Sequence, residues 1–269
     1  VRTMHAGPNM PPTSPAAEVT LAPPARPEDL SAAAEFGITV AAARDPSTWQ
    51  IRRHLGRLAL HEPAELGGLV LDLGFDTADL RRRLQTARRT DPLPRAVGLN
   101  RKDRTPTVVD ATGGLCRDAA VLSWLGCPVT ALERVPALAM LACVAARDAR
   151  LPGGPTVVLA DAVAWLRNLP EHQRPDVVCL DPMFEDTGKA QVKKEMQVCR
   201  HLCGSGDEDF VDLFAAARAV ARERVVVKRH GKAAPLAAGA SFAVPGERVR
   251  FDVYLTGQPG NPPGSPPGA

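Results

Sequence analysis

The chain has 269 residues, of which 45% are hydrophobic and 23% charged, with a formal net charge of +3 at pH 7. This length fits one large domain or two small ones, and so small a net charge does not by itself indicate nucleic-acid binding. Proline is concentrated at the ends, with seven prolines in residues 1–27 and five in residues 257–269. Such segments bury too little apolar surface to offset the entropy lost on ordering, so we predict two disordered tails.

We expect no signal peptide, because the amino end lacks an uninterrupted apolar segment after a basic start, and the sequence has no run of about 18 apolar residues long enough to span a membrane. Its six cysteines lie mostly in apolar periodic segments, none forms a Cys-x-x-Cys pair, and the histidines lack metal-ligand spacing. We therefore predict a cytoplasmic protein with reduced thiols, without a metal site and without a membrane partner.

Residues 28–106 predict a small amino-terminal α+β subdomain. A helix is predicted over 27–36, because acidic residues lie in its first turn and Gly37 follows its end. Short or alternating apolar runs predict strands within 49–61 and 69–73.

A basic segment follows. Residues 75–104 contain nine Arg or Lys against four Asp, and residues 79–89 predict a helix that carries Arg81, Arg82 and Arg83. Such a cluster suits RNA phosphates, but basic runs are often only the solvated face of a helix. Both interpretations stay open at this point.

From residue 107 to 256 the pattern alternates between strand and helix, which predicts a parallel sheet with right-handed crossovers. A closing antiparallel hairpin is predicted at its end. The predicted strands are 107–109, 129–132, 156–160, 176–180, 224–228, 241–244 and 249–255, and the predicted helices are 117–125, 135–147, 162–168, 191–203 and one that begins near Phe210.

The segment Val108–Asp118, VVDATGGLCRD, contains a strand, a glycine turn and the start of a helix. A ligand can approach bare backbone at such a turn, where the N–H groups of a helix amino terminus point outward. Glu133 ends the next predicted strand about 20 positions later, where Rossmann-like sites bind ribose hydroxyls. We therefore predict a nucleotide-type cofactor site that includes Asp110, Gly113 and Glu133.

Acidic residues end each of the first four predicted strands of this sheet. In open α/β sheets, ligands bind beyond the carboxyl ends of the strands, so these side chains are expected to surround one ligand. The four residues are Asp110, Glu133, Asp161 and Asp181.

The fourth strand ends in Asp181-Pro182-Met183-Phe184, which resembles the Asp/Asn-Pro-Pro-Tyr/Phe signature of methyltransferases that act on exocyclic amines of nucleobases. The lone pair of such an amine is delocalised into the ring, and a carboxylate with a backbone carbonyl can accept its N–H groups and favour the nucleophilic form. Proline fixes the direction of that carbonyl, and an aromatic ring stacks on an extruded base.

From Glu65 to Thr256 the sequence resembles the ribosomal RNA small subunit methyltransferase J family. The shared segments are LGGLVLD, AVGL, VVDATGGLCRD, LERVP, LDPMF, VKKEM, RVVVKR and RFDVY, in that order. The resemblance implies a class I methyltransferase fold, Rossmann-like with a mostly parallel seven-stranded sheet. It also implies methylation of a guanine N2 in small-subunit (16S) rRNA with S-adenosylmethionine (SAM), on free rRNA or on the 30S particle.

The resemblance also implies roles for individual residues. Those on the family's SAM positions are Arg117, Asp118, Glu133, Arg134, Asp161, Ala162 and Asp181. Asp181, Pro182 and Phe184 are the candidate catalytic residues, and the candidate RNA contacts near the pocket are Lys193, Lys194, Lys228 and Arg229. Cys116 occupies a usual glycine position of the family, and Asp161-Ala162 replaces two small hydroxyl residues.

The sequence leaves two other interpretations open, and a third, a cytosine-C5 methyltransferase, is rejected. A dehydrogenase that binds NAD would also use Glu133, but the third glycine of G-x-G-x-x-G and a hydride-transfer residue are missing. A non-catalytic RNA-binding protein that retains the fold is suggested by Cys116, whereas the intact Asp181 and Phe184 argue for catalysis. A cytosine-C5 methyltransferase needs a cysteine beside the strand-end proline, and Met183 occupies that position.

Overall fold

The computed structural model describes residues 17–101, 103–149, 153–182, 198, 202 and 210–257. These residues form two β-sheets with helices packed against them. The strands are β1 (Val19–Leu21), β2 (Thr39–Val40), β3 (Trp49–His54), β4 (Arg57–His61), β5 (Val70–Leu71), β6 (Val108–Asp110), β7 (Val129–Glu133), β8 (Thr156–Leu159), β9 (Val177–Leu180), β10 (Arg224–His230), β11 (Phe242–Pro245) and β12 (Val249–Leu255). The helices are α1 (Pro27–Glu35), α2 (Ala78–Thr86), α3 (Pro92–Ala96), α4 (Arg117–Trp124), α5 (Pro136–Asp148), α6 (Ala162–Arg167) and α7 (Phe210–Val220), with single 3₁₀ turns at Ala64–Leu66 and Glu171–Gln173.

The first sheet has five strands in the order β2-β1-β3-β4-β5. Strand β1 runs parallel to β2 and β3, and the β3-β4 and β4-β5 pairs are antiparallel. The β3-β4 hairpin closes on Leu55 and Gly56, both with positive φ (49° and 84°), as a two-residue hairpin turn requires. Helix α1 is tied to β3 by a two-point ion pair, in which Arg53 donates to the fully buried Asp29 at 2.7 and 2.9 Å.

Strand β1 corrects the predicted amino-terminal tail. We expected residues 1–27 to be disordered, but Val19–Leu21 pairs with a strand on each side and Leu21 is fully buried. Its short Val-Thr-Leu run lies among prolines and is too brief to stand out in the sequence. It becomes a strand because two neighbouring strands satisfy its backbone hydrogen bonds. Residues 1–16 lie outside the described part of the chain.

The second sheet has seven strands in the order β11-β12-β10-β9-β6-β7-β8. Its first five strands in the chain are parallel to one another, and β12 is antiparallel to both β10 and β11. This arrangement confirms the predicted mostly parallel sheet with its closing antiparallel hairpin. Strands β6 and β9 are rich in valine, as expected for strands that are covered on both faces.

The strand order determines where a ligand can bind. The chain runs outward from β6 to β7 and β8, and then returns to place β9 on the other side of β6. The direction of the chain therefore switches between β6 and β9, and the crevice beyond their carboxyl ends is the expected ligand site. Residue Asp110 ends β6, and Asp181 directly follows β9.

Contacts between helices and strands join the two sheets. Helix α2 packs on α4, α5 packs on β4, and the short helix α3 packs on β11 and β12. One buried apolar cluster contains residues of both sheets, and a second cluster lies on the other face of the seven-stranded sheet. The predicted domain boundary at residue 106 falls between the two sheets in the chain. Because the sheets share a buried cluster, the division into two domains stays a prediction.

The helix predicted over residues 191–203 lies outside the described residues, apart from Val198 and Leu202, which are helical and buried. Among the described helices, none has the length and apolar character needed to cross a lipid bilayer.

Candidate active site

The loop between β6 and α4 brings bare backbone to the carboxyl edge of the sheet. Gly113 donates its N–H to the Leu132 carbonyl at 2.8 Å, and a Cβ at Gly113 would lie only 2.8 Å from that oxygen. Gly114 has a φ of +49°, in the left-handed region. Both positions therefore favour glycine for conformational or steric reasons, and α4 begins directly beyond this loop.

Cys116 immediately precedes α4 and adopts φ 50° and ψ 22°, a left-handed conformation that suits the glycine usual at this position in the family. Its side chain is only 1% exposed and belongs to the apolar core. Because the sulfur is directed into the protein interior, the cysteine leaves the outer side of the loop backbone accessible.

Glu133 at the end of β7 holds this loop. Its two carboxylate oxygens accept hydrogen bonds from the Gly114 and Val135 amides, both at 2.7 Å. Burial raises the pKa of Glu133, while these two hydrogen bonds and the nearby charge of Arg134 act in the opposite direction. Glu133 thus lies at the predicted ribose position, and in this structure its carboxylate orders the glycine loop.

Asp161 caps the amino terminus of α6. Its side chain accepts a hydrogen bond from the Ala164 amide at 2.8 Å, and Ala162 is the first residue of the helix. The Ala160 amide binds the Glu133 carbonyl at 3.0 Å, so Asp161 follows closely beyond the end of β7. The pair Asp161-Ala162 therefore lies at the same edge of the sheet as the glycine loop.

Asp181 is fixed to the β6 side of the site by Thr112. The Asp181 amide donates to the Thr112 hydroxyl at 2.6 Å, and the Thr112 amide donates to the Asp110 carboxylate at 3.2 Å. The first residue of the Asp-Pro motif is thus linked through one threonine to the acidic residue that ends β6. Asp110 is buried, whereas the Asp181 side chain is 49% exposed.

A cation lies between two carboxylates at the centre of the site. The Lys228 ammonium, near the end of β10, donates to Asp181 at 2.7 Å and to Asp118 at 2.9 Å. The other oxygen of Asp118 accepts a hydrogen bond from Arg83 of α2. Four charged side chains from four different elements therefore form one row: Arg83, Asp118, Lys228 and Asp181.

These charges separate the pKa values of neighbouring acids. Burial, together with the negative charge of Asp118, raises the pKa of Asp110 to about 7. Burial acts in the same direction on Asp118, but the positive charges of Lys228 and Arg83 outweigh it and lower the pKa of Asp118 to about 2. Burial opposes the charge on Lys228, and the two carboxylates outweigh this effect and raise the pKa of the lysine. At neutral pH Asp118 is therefore ionised, and Asp110 titrates beside it.

Comparison with known proteins identifies the family. A family model described as a putative SAM-dependent methyltransferase matches residues 32–256. The ribosomal RNA small subunit methyltransferase J of Thioalkalivibrio sulfidiphilus is 43% identical over 242 residues, which cover 86% of this chain and 93% of that protein. The chain belongs to the methyltransferase J family. Another relative of the same name, from Chromobacterium violaceum, is 46% identical over 184 residues, or 65% of this chain and 71% of the relative.

A solved structure supports the same fold. The chain is similar to the crystal structure of a SAM-dependent methyltransferase from Neisseria gonorrhoeae, with a TM-score of 0.68, 27% identity, and coverage of 88% of this chain and 95% of that chain. The protein is accordingly an enzyme of the SAM-dependent methyltransferase class, as the sequence predicts. The alternatives of an NAD-dependent oxidoreductase and a non-catalytic protein are not supported by these similarities.

The residues at the sheet edge fit the cofactor of the methyltransferase J family. The Gly113 backbone admits no side chain on the Leu132 side, and Cys116 turns its own side chain inward. The acidic side chains of Glu133 and Asp110 accept hydrogen bonds from the loop amides of Gly114 and Thr112. The partly buried Arg117 and Arg134 flank them at the starts of α4 and the β7-α5 connection. These residues remain predicted SAM contacts.

The predicted RNA contacts lie in different surroundings. On α2, Arg81 is exposed, Arg82 pairs with Asp79 at 3.1 Å, and Arg83 binds Asp118. Arg229 donates to the Ala234 carbonyl at 2.9 and 3.1 Å, so part of its guanidinium braces the turn after β10. Their contacts with RNA stay predictions. Three further candidates lie outside the described residues: Phe184, Lys193 and Lys194.

Two features of this site were missed by sequence reasoning. Thr112 was treated only as part of a small-residue turn, although its hydroxyl joins Asp181 to the β6 loop. The contact of Lys228 with Asp118 and Asp181 was also unforeseen. A threonine two positions after a strand-end aspartate is a signal for the first. The second depends on the neighbouring positions of β6, β9 and β10, which residue spacing does not provide.

Proposed function

We propose that this methyltransferase transfers a methyl group from SAM to the exocyclic N2 of a guanine in small-subunit rRNA. The observation that carries the proposal is the position of Asp181-Pro182 at the switch between β6 and β9, beside the glycine loop. The relatives named ribosomal RNA small subunit methyltransferase J support the choice of RNA. Free rRNA and the 30S particle are the two candidate substrates, and the reaction is assigned to the cytoplasm, where small subunits are assembled.

In this proposal the Asp181 carboxylate and the Pro182 carbonyl accept the two N–H groups of the target amine. Hydrogen bonds accepted from both N–H groups favour the tetrahedral, nucleophilic form of the nitrogen over the form conjugated with the ring. The cofactor, when bound, supplies an electrophilic methyl group. The exposed side of Asp181 leaves room for a base that has left its stack, and Phe184 is proposed as its stacking partner.

The cofactor side is proposed to use the residues around the glycine loop and the ends of β7 and β8. The loop backbone at Gly113 lies next to the cofactor, and Glu133 binds the ribose hydroxyls while retaining its hydrogen bonds to the loop. A carboxylate oxygen has two lone pairs, so one oxygen can accept from an amide and from a hydroxyl together. The remaining proposed contacts are Asp110, Arg117, Asp118, Arg134, Asp161, Ala162 and Asp181.

The first test is single-turnover methylation of small-subunit rRNA by the purified protein, followed by mass analysis of the nucleosides. We expect N2-methylguanosine as the product, on free rRNA or on 30S particles. A different methylated nucleoside, or no product on either substrate, would contradict the proposed function.

The second test replaces Asp181 with asparagine, which keeps the size of the side chain but loses its charge and one acceptor. We expect turnover to fall by about 100-fold or more with little change in SAM affinity, because the carboxylate acts on the amine in the transition state. Asp212→Asn is the matched control, since Asp212 is an exposed residue of α7 that pairs with Arg167. Near-wild-type turnover of Asp181→Asn would remove this carboxylate from the mechanism.

A further inference from the structure

Lys228 was predicted to contact RNA phosphate, but its surroundings indicate another role. Its side chain is only 27% exposed, and its ammonium forms close ion pairs with Asp181 at 2.7 Å and Asp118 at 2.9 Å. An ammonium has three N–H donors, and two of them are used by these carboxylates. A phosphate contact would compete with two charge-assisted hydrogen bonds that are already formed.

The partner of Lys228 is itself held in place. Asp118 lies in the first turn of α4, and Arg83 of α2 binds the oxygen that Lys228 does not use. Asp118 and Asp181, which lie 110 and 47 positions before Lys228 in the sequence, thus fix this lysine from two sides. The lysine is consequently a well-oriented donor toward Asp181, rather than a mobile surface side chain.

We propose that Lys228 is a positioning residue for methyl transfer: it keeps Asp181 ionised and directs its carboxylate toward the target amine. This inference rests on the proposed function and adds a role to the same site. Lys228 supplies no group to the reacting atoms. It acts through Asp181, because only the ionised carboxylate can accept N–H groups with both oxygens.

The charges around Asp181 predict the direction in which each substitution moves its pKa. Among the described residues, Asp110 of β6 and Asp118 of α4 face the site with negative charge, and Lys228 of β10 with positive charge. Although the Asp181 side chain is half exposed, partial desolvation raises its pKa, Lys228 acts against this, and Asp118 adds to it. Removing Lys228 should therefore raise the pKa of Asp181 further, whereas removing the charge of Asp118 should lower it.

The test measures single-turnover methylation of rRNA across a pH series in the full-length protein. For Lys228→Met we expect the acidic limb of the profile to move to higher pH, because Asp181 loses a close opposite charge. At a fixed pH on that limb, the rate relative to the alkaline plateau should then fall by about threefold or more. Lys228→Arg keeps the charge and should restore the wild-type profile.

Two further variants sharpen the test. Asp118→Asn should move the acidic limb in the opposite direction, and it keeps the inference open to test if Lys228→Met does not fold. Lys232→Met removes an exposed lysine in the turn that follows β10 and should leave the profile unchanged. SAM affinity and the salt dependence of RNA binding are measured in parallel for every variant.

The outcomes separate this inference from the proposed function. If the wild-type protein methylates no guanine in rRNA, the proposed function fails before any variant is compared. If the wild type is active and Lys228→Met has an unshifted profile but a smaller salt slope of RNA binding, Lys228 is a phosphate contact. If its rate falls equally at every pH, the lysine has only a structural role. Either of the last two results overturns the inference.

Discussion

At the level of single residues, the glycine loop contains two positions with opposite tolerances. Gly113 faces the Leu132 carbonyl so closely that a Cβ would lie 2.8 Å from it. Cys116 accepts a left-handed conformation that costs a non-glycine residue roughly 1–2 kcal/mol, and its buried side chain offsets part of that cost by apolar contact. The cysteine is therefore compatible with cofactor binding and gives no support to the interpretation as a non-catalytic protein.

Gly113→Ala should damage both stability and cofactor binding. The added methyl meets backbone rather than a flexible side chain, so we expect a loss of about 1–3 kcal/mol in the free energy of unfolding. Denaturant unfolding and calorimetric titration with SAM measure the two effects. Gly231→Ala is the matched control, because its Cβ would lie 3.5 Å from the Arg248 carbonyl, an ordinary contact. Equal behaviour of the two variants would contradict the close approach at Gly113.

At the level of elements, helix α2 combines two functions on one short segment. Its apolar residues Leu80 and Leu84 are buried, and its arginines lie on the solvent side. Arg83 reaches across to Asp118 on α4, so the helix that is proposed to meet RNA also contributes to the charged row of the site. At least one arginine of the basic segment therefore has a partner within the protein, and RNA contacts of the others stay predictions.

This division predicts different effects for the arginines of α2. Replacing Arg81 and Arg82 by glutamine should weaken RNA binding and lower its salt slope by somewhat under one unit per lost phosphate contact. Arg83→Gln should instead affect turnover, because it frees Asp118 to draw Lys228 away from Asp181. The measurement is RNA binding over a range of salt concentrations, with Arg147→Gln on α5 as a surface control. An unchanged slope in the double variant would assign Arg81 and Arg82 to a solvated face.

At the level of the whole molecule, the buried Asp110 couples stability to pH. Its pKa is about 7 in the folded protein, against an ordinary value of 3.8. Between these values the folded state retains a proton that the unfolded chain releases, so the folded state is favoured less and less as pH rises through this window. The contribution of Asp110 to the free energy of unfolding is thus expected to be least favourable above neutral pH.

Asp110→Asn should remove this contribution. We expect the wild type to lose on the order of 2–4 kcal/mol more unfolding free energy than the variant between about pH 4 and about pH 8. Denaturant unfolding at several pH values provides the measurement. Asp212→Asn serves as the exposed control and should follow the wild type. Parallel pH curves for wild type and Asp110→Asn would show that burial does not raise the pKa of Asp110.

The main sheet was predicted correctly from the sequence alone, and the candidate residues of the cofactor site were chosen from it. Alternating strand and helix patterns predicted the parallel strands, and the acidic residues at strand ends predicted which sheet edge binds a ligand. These features are local, since period, turn residues and strand-end polarity lie within a few positions of one another. The segments shared with the methyltransferase J family extended the prediction to the reaction.

The pairing of the charged groups in the site, by contrast, depends on the tertiary structure. Arg83, Asp118, Lys228 and Asp181 are distant in the sequence, and they meet because β9 returns beside β6 and α2 packs on α4. The strand Val19–Leu21 likewise depends on neighbours supplied by later parts of the chain. Ion pairing and strand pairing across such separations depend on the packing of whole elements. For that reason the residue types were readable from the sequence, whereas their partners were not.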